Sequence, residues 1–428
     1  MTDLRPFRAL RYDTRRVELD RVLAPPYDVV TADERADLYA SDPHHAIRLE
    51  LTRDAAREAT TDYREVADNL TAWRREGVLV RDRAPALYAY RQVFRSPDGA
   101  LLRRDGFFAE LSLEDYGTRV VRPHERTLAG PKADRLKLLR AVRANLSSVF
   151  LLYEDRHREL EPILASAIDD SPIAMAHDAA GVEHRLAALT DPGAIGRIQR
   201  FLEKRHVVIA DGHHRYETAL AYRDECRDEC RGEAAGGGEA PWESTLVYLA
   251  NAYAPGNLLL PIHRVIHKAA VPTETAWRER LPGWEQKKLP LRESGSIAAF
   301  LAEQLAPLSA QPAFVADDAS GLLRIFWKSQ PLGTDLMVRI LEREVMAQVF
   351  GLGADDIRDG AVRFPKSAEQ AAREIREGQG TVVLYLNPLS ADDVFRITAA
   401  GDLMPPKSTF FHPKIPTGLV FRPHQEVS

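Results

Sequence analysis

A short segment around residues 207–220 combines an anion-binding pattern with ionisable side chains. Three β-branched residues at 207–209 precede Asp211 and Gly212, and good helix formers follow from His214. This order predicts a buried strand, a tight turn with positive φ at the glycine, and the N-terminus of a helix. Such a corner binds anions, because the first-turn N–H groups are unpaired and the helix dipole favours negative charge.

The side chains of this turn supply groups for phosphate chemistry. We assign Gly212, His213 and His214 to phosphate binding, with Gly212 allowing a ligand to approach the backbone. Arg215 supplies a planar fork of donors that matches phosphate oxygens. Asp211 is assigned to catalysis and to binding a metal ion or a hydroxyl group. The alternative is an ordinary strand-to-helix corner, although such a corner needs no His or Arg.

A second polar group follows Arg122 and Pro123, where the proline keeps the preceding residue extended. His124 and Glu125 then lie on a loop before a helix that we expect to begin near Pro131. Either Glu125 is only a favourable charge beside the helix dipole, or His124 and Glu125 act in catalysis. Arg122 is assigned to substrate binding.

Two further dipeptides are candidates for ligand binding. Prolines at positions 25 and 26 fix a bend ahead of Tyr27 and Asp28, which is either a bend alone or a loop that contacts substrate. His263 and Arg264 follow a proline within a strand pattern. They form either a surface pair or a second phosphate contact.

The segment from residue 404 to residue 421 is rich in rigid and cationic residues, with four prolines and two lysines. Prolines reduce the entropy lost on ordering, and Phe410 and Phe411 offer apolar area to bury. We therefore expect this tail to pack beside the turn at 211–215, with Lys414 or His412 near ligand phosphates. The alternative is that it covers apolar surface elsewhere.

The string Asp-Gly-His-His-Arg at 211–215 resembles the phosphate-binding motif of the ParB and sulfiredoxin superfamily, in particular its free serine kinases. In those kinases the motif binds nucleotide phosphates, and a Glu after a Pro takes the hydroxyl proton, a position that Glu125 matches. The resemblance implies a ParB/sulfiredoxin-like core, ATP or ADP with Mg²⁺, and a hydroxyl acceptor such as free serine. This chain departs from the small kinases in its length and in the long separation of Glu125 and Asp211.

Several motifs together resemble a widespread prokaryotic family of unknown function over nearly the whole chain. They are Pro-Pro-Tyr-Asp-Val at 25–29, His-Glu-Arg-Thr at 124–127, the central motif, Pro-Ile-His-Arg at 261–264, and the terminal Lys-Ser-Thr-Phe-Phe-His-Pro-Lys at 407–414. That resemblance implies no reaction.

Composition excludes several classes of protein. The 428 residues are 45% hydrophobic and 28% charged with a net charge of −5, which is typical of a globular protein and disfavours nucleic-acid binding. No segment approaches the roughly 20 apolar residues of a membrane span, and no apolar leader follows Met1, so we expect a cytoplasmic location. Cys226 and Cys230, four residues apart on a predicted helix, are expected to be reduced thiols.

The periodicity predicts an α/β (α+β) fold, which we divide into three segments at 1–118, 119–268 and 269–428. The resemblance implies that the ParB-like core is the second of these segments. We expect a strand at 46–51, a helix at 55–76, a hairpin at 87–111, a helical stretch at 154–200 and a flexible glycine-rich loop at 231–241.

The leading hypothesis for the function is a nucleotide-dependent kinase that phosphorylates a small hydroxyl compound. The rival is a ParB-like nucleotide-binding switch without turnover, and a homodimer is a candidate assembly. DNA binding is disfavoured by the net charge and by the lack of a clear helix-turn-helix pattern.

Overall fold

The structure is a computed structural model that describes residues 1–53, 60, 62–127, 129–230, 240–291 and 295–424. The chain forms two compact units. The first contains residues 1–258, 395–403 and the segment from 413 onward, and the second contains residues 259–394 and 404–412. Strands from both sides of the expected boundary at 118 share one sheet.

The structure is mixed α/β, which confirms the expected fold class. The first twelve strands are β1 (Leu4–Arg5), β2 (Leu10–Tyr12), β3 (Leu79–Arg81), β4 (Leu87–Arg95), β5 (Leu101–Ser112), β6 (Val121–Arg122), β7 (Ala144–Asn145), β8 (Val149–Tyr153), β9 (Pro172–His177), β10 (Glu183–Leu189), β11 (Val207–Asp211) and β12 (Ser244–Asn251). The later strands are β13 (Leu258–Leu260), β14 (Arg264–Ile266), β15 (Glu285–Pro290), β16 (Ala313–Asp317), β17 (Leu322–Trp327), β18 (Val362–Arg363), β19 (Val382–Tyr385), β20 (Phe410–His412) and β21 (Arg422–Pro423).

The helices lie between these strands, singly or in groups. They are α1 (Ala32–Ser41), α2 (Ile47–Glu50), α3 (Arg64–Arg75), α4 (Ala129–Val142), α5 (Glu161–Asp170), α6 (Pro192–Glu203), α7 (His213–Glu229), α8 (Glu274–Arg280), α9 (Ile297–Gln304), α10 (Met337–Ile340), a π-helical turn (Leu341–Met346), α11 (Ala354–Arg358), α12 (Ala368–Arg376) and α13 (Ala391–Ala400).

The first unit is built on a nine-stranded sheet in the order β6-β11-β8-β12-β5-β4-β10-β9, with β1 paired to β5. The pairs β6–β11 and β8–β12 are parallel, and the other neighbours along the sheet are antiparallel. One face buries an apolar cluster to which α5, α6 and α7 contribute Leu164, Ile198, Leu202, Tyr216 and Ala219. The parallel β6–β11 pair is what positions the candidate site, because it aligns the ends of two distant segments.

Local chemistry explains the helix that leads into β11. Helix α6 begins where the Asp191 side chain accepts a hydrogen bond from the Ala194 N–H at 2.7 Å, with Pro192 in the first turn. Its apolar residues Ile195, Ile198 and Leu202 recur at helical spacing and are buried. Helix α1 also begins with a side-chain cap, because Thr31 and Glu34 form a capping box there.

The second unit is built on a six-stranded sheet in the order β15-β17-β16-β19-β14-β18. Its core contains Val315, Ile325, Val383 and Tyr385, and α9 and α12 cover it with Phe300, Ala372 and other apolar residues.

Two expectations from the sequence are wrong. The strand expected at 46–51 is the short helix α2, because Glu50 is buried beside the apolar residues rather than on an exposed face. The stretch at 154–200 is not wholly helical, since β9 and β10 form a hairpin between α5 and α6.

The hairpin of β4 and β5 is confirmed, and the helix expected at 55–76 is present as α3 from Arg64. The expected start of that helix and the glycine-rich loop at 231–239 lie outside the described residues.

Candidate functional site

The corner between β11 and α7 has the expected geometry. Gly212 follows the strand with φ of 88°, and α7 begins at the next residue and runs for 17 residues. A β-carbon added at Gly212 would lie 2.9 Å from Nε of Arg215 and 3.0 Å from its Cζ. The space beside the glycine is therefore filled by the Arg215 guanidinium. Gly212 is required by this packing and by its positive φ rather than by open access for a ligand.

Arg215 folds back across the turn. Its Nη1 donates to the Ser148 carbonyl, and its Nη2 donates to Oδ2 of Asp211 at 2.7 Å. Among the described residues, the buried Nε of Arg215 and the buried hydroxyl of Ser148 have no hydrogen-bond partner. Buried polar atoms are normally satisfied, so these two atoms mark a place where a ligand or water would bind.

Asp211 lies between two cations. Lys414 donates to its Oδ1, and Arg215 donates to its Oδ2. Burial raises the pKa of the Asp211 carboxyl, but Lys414 and Arg215 outweigh burial and hold it well below its ordinary value. Lys414 and Arg215 already neutralise the charge of the Asp211 carboxylate, and both cations would repel a Mg²⁺ ion at this position. The sequence predicts that the tail packs beside this turn. Lys414 lies there, and the group that it contacts is the Asp211 carboxylate.

Two contacts join the loop after β6 to the first residue of α7. The backbone N–H of His124 donates to Nε2 of His213 at 3.2 Å. The two imidazole rings lie edge to face with centroids 4.5 Å apart. Nδ1 of His213 lies 3.5 Å from Oε1 of Glu125. Since Nε2 of His213 accepts a hydrogen bond, the proton of the neutral ring is on Nδ1, which faces Glu125.

Both histidines are neutral at ordinary pH. Burial lowers the pKa of His124 and lowers that of His213 further. The Asp211 carboxylate acts in the opposite direction on both rings, but burial is the larger effect. Nδ1 of His124 faces the Ile209 carbonyl, which fixes its orientation. The imidazole atoms of these two residues and the Glu125 carboxylate all lie within 4.8 Å of one another, as metal ligands would. The backbone N–H of His124 donates to the lone pair on Nε2 of His213, which leaves that atom unavailable to a metal ion.

Glu217 anchors the loop that carries Glu125. Its Oε2 accepts from the Thr127 hydroxyl at 2.7 Å and from Nζ of Lys132 at 2.8 Å. His214 is half-buried, and its pKa is lowered by burial, while Glu125 and Glu217 act in the opposite direction. The sequence analysis did not single out Glu217. Its position four residues after His213 on α7 was the available signal, because such residues share a helix face.

The remaining assigned residues divide into two groups. Tyr27 lies below the Arg135 guanidinium, 4.2 Å from Cζ to the ring centre, and Asp28 acts on the pKa of both His214 and Arg215. Both residues therefore lie near the turn. Arg122 does not contact the other assigned residues in its described hydrogen bonds, since its Nε donates to the Arg119 carbonyl at 3.2 Å.

His263 and Arg264 belong to the second unit and have structural partners there. Nδ1 of His263 accepts from the Leu386 N–H at 3.3 Å, and burial lowers its pKa to about 3. Arg264 is almost fully buried, donates to the Ile262 carbonyl and lies over the Phe364 ring. These contacts identify a buried core pair, whereas the sequence left open a surface pair or a phosphate contact.

No described helix is both long and apolar enough to cross a membrane. A search of curated protein sequences finds no match.

Solved structures similar to this chain include a conserved hypothetical protein from Pyrococcus furiosus, with 13% identity, a TM-score of 0.35, and coverage of 74% of this chain and 95% of that one. A free serine kinase variant in complex with AMP has 12% identity, a TM-score of 0.37, and coverage of 74% and 92%. SbnI with a C-terminal truncation, from Staphylococcus aureus, has 11% identity, a TM-score of 0.34, and coverage of 70% and 83%.

The sequence itself identifies the family. A family described as protein of unknown function (DUF1015) matches residues 4–303, which is more than half of the chain. The motifs noted above at 25–29, 124–127, 211–215 and 261–264 all fall within that match. The chain therefore belongs to the DUF1015 family of proteins of unknown function.

Proposed function

We propose that this protein is a nucleotide-dependent kinase that phosphorylates a small hydroxyl compound. The observation that carries the proposal is the contact of Glu125 with the first residue of α7, where Oε1 lies 3.5 Å from Nδ1 of His213. A carboxylate that can accept a proton is thereby held beside a helix N-terminus that can bind phosphate. Phosphoryl transfer needs these two functions next to each other.

The phosphate end of this site would be formed by the first turn of α7 and the groups around it. The helix itself does not use the N–H groups of its first turn, and the dipole favours negative charge there. The unsatisfied Nε of Arg215 and hydroxyl of Ser148 lie at the same turn. Lys132, whose side chain is 37% exposed, adds a cation at the rim.

Glu125 would act as the general base. The acceptor oxygen forms a bond to the terminal phosphorus as the bond from that phosphorus to the bridging oxygen breaks. The bond electrons leave with the shortened nucleotide, and the hydroxyl proton passes to Glu125. His213 supports this role because its neutral ring lies 3.5 Å from the carboxylate without pairing it with a permanent cation.

A nucleotide-binding switch is the second candidate, and the Asp211–Lys414 ion pair favours it. The phosphates of a bound nucleotide would compete with Asp211 for Lys414, which belongs to the C-terminal tail. Binding would then loosen the tail without any turnover of substrate.

The decisive experiment is incubation of the full chain with Mg²⁺, ATP or ADP, and a pool of small hydroxyl compounds that includes free serine. Phosphate esters are detected by ³¹P NMR and identified by mass spectrometry, and calorimetry measures nucleotide binding in parallel. A new ester supports the kinase. Binding without an ester supports the switch, and absence of nucleotide binding contradicts both candidates. Serine as the acceptor rests on the motif resemblance alone.

A further inference from the structure

A cavity of about 470 Å³ opens beside the candidate site within the first unit. One wall is formed by the N-terminal segment, with Tyr27, Val30 and Leu51, and the facing wall by the start of α4, with Pro131 and Ala133. Pockets that bind drug-sized ligands have volumes of about 300–1,000 Å³, and their walls are mostly apolar or aromatic. The cavity therefore has room for a ligand much larger than a small hydroxyl compound.

The charged residues of the cavity favour a ligand with negative charge. Arg35 and Lys137 contribute two cations to the lining, against the single carboxylate of Asp134. That carboxylate is engaged, since Oδ1 accepts from the Tyr63 hydroxyl at 2.8 Å and Oδ2 accepts from Nη2 of Arg135 at 2.6 Å. Arg35, which also donates to the Thr52 carbonyl at 3.4 Å, and Lys137 thus outnumber the carboxylate in the lining, and this balance of charge favours an anionic ligand.

Tyr27, which lines the cavity, also lies near the α7 turn. The Arg135 guanidinium covers the Tyr27 ring, and Arg215 is close enough to act on the tyrosine. Burial raises the pKa of Tyr27 to about 12, with Arg135 and Arg215 acting against that rise, so the phenol keeps its proton at ordinary pH. A ligand that reaches from the α7 turn to the cavity would place its phosphates at the turn and an apolar, planar part in the cavity.

We propose that this cavity binds the base and ribose of the nucleotide whose phosphates lie at the first turn of α7. The inference rests on the proposed function, because it extends the same site. An aromatic side chain and aliphatic walls suit the flat apolar faces of a nucleobase, and the cations at the edge suit the phosphate chain that leaves it. The acceptor would then bind on the Glu125 side of the turn.

The test uses two probes, ADP and inorganic pyrophosphate, in calorimetry with the full chain and Mg²⁺. Ala133 is an exposed helix residue that lines the cavity, so Ala133→Trp fills the cavity without removing any contact of the folded chain. We expect Ala133→Trp to weaken ADP binding by at least about tenfold. Its affinity for pyrophosphate, which has no base or ribose, should equal that of the wild type. Ala133→Ser, which adds only one oxygen atom, is the matched control and should retain ADP affinity.

Three outcomes would overturn the proposal. Ala133→Trp that is folded by circular dichroism and binds ADP as tightly as the wild type shows that the nucleoside binds elsewhere. If Ala133→Trp keeps the wild-type ADP affinity but has a raised KM for the hydroxyl compound, the cavity binds the acceptor instead. Wild-type protein that binds neither probe contradicts the proposed function as well, whereas the first two outcomes leave it intact.

Discussion

The Lys414 ammonium group donates a hydrogen bond to the Asp211 carboxylate across 203 positions of the chain. The other oxygen of the same carboxylate accepts from Arg215. One partly buried acid therefore contacts both the first turn of α7 and Lys414 of the C-terminal tail. This contact is one of several that fix the tail, since Gln92 donates to the Lys414 carbonyl at 3.0 Å and Arg104 donates to the Pro413 carbonyl.

We expect Lys414→Ala to lower the free energy of unfolding at pH 7 by about 1.5–3 kcal/mol, the range for hydrogen bonds to charged groups. The pKa of Asp211 is lowered in the folded state, so its contribution is complete above the ordinary carboxyl pKa of about 4 and is lost as the pH falls below it. Urea denaturation at several pH values measures both effects. The exposed Lys204→Ala is the control, and equal stability of the two variants would contradict the role of the ion pair.

Gly212→Ala tests why the turn requires glycine. The substitution adds strain at φ of 88° and a close contact with Arg215, at 2.9 Å from Nε. Gly181 is a matched control, because its φ is 77° and an added β-carbon meets nothing within 4 Å. Gly181→Ala should cost about 1–3 kcal/mol from the backbone alone. Gly212→Ala should cost more in the same thermal denaturation assay, and equal losses would show that Arg215 does not occupy this space in solution.

Glu125→Gln tests the general base. The amide keeps the size of the side chain and can still accept from Nδ1 of His213, but it cannot take the hydroxyl proton. We expect turnover to fall by about 10²–10⁴-fold with nucleotide affinity unchanged. Steady-state kinetics and calorimetry give the two values, with the exposed Glu203→Gln as the control. Full turnover in the Glu125 variant would leave this residue as a charge beside the helix dipole.

The neutral state of His213 predicts a pH dependence of stability. Its folded-state pKa lies well below the ordinary value of 6.5, so the unfolded chain takes up a proton first as the pH falls. The stabilising effect is complete above about pH 6.5 and declines below it, by up to about 1.4 kcal/mol per pH unit. His213→Gln should flatten this decline between pH 7.5 and pH 5.5 in urea titrations. The exposed His157→Gln should keep the wild-type slope, and an unchanged slope in His213→Gln would contradict burial of a neutral ring.

The sequence predicted the part of the site that is local in the chain. The order of β-branched residues, Asp-Gly and helix formers was enough to predict β11, the turn with positive φ and α7. It could not predict why Gly212 is there, because the reason is a rotamer of Arg215 fixed by Ser148, which lies 67 positions earlier. The open backbone expected at Gly212 is filled by a side chain of the same turn.

Contacts between distant segments could not be predicted. The approach of His124 to His213 across 89 positions depends on the parallel pairing of β6 with β11, which periodicity does not specify. Glu50 was expected on a strand that alternates polar and apolar residues. It is buried in a helix because Arg135 and Thr417, 85 and 367 positions away, both donate to it. Those partners become visible only once the chain is folded.

The position of Lys414 has a consequence for the protein during its synthesis. At about 5–20 residues per second, a ribosome needs roughly 10–40 s to extend the chain from Asp211 to Lys414. Until Lys414 has been synthesised, Asp211 can pair with Arg215 but not with Lys414. Assembly of the candidate site is thus a late event in translation, and chains that stop before residue 414 carry the Asp-Gly-His-His-Arg motif without its final ion pair.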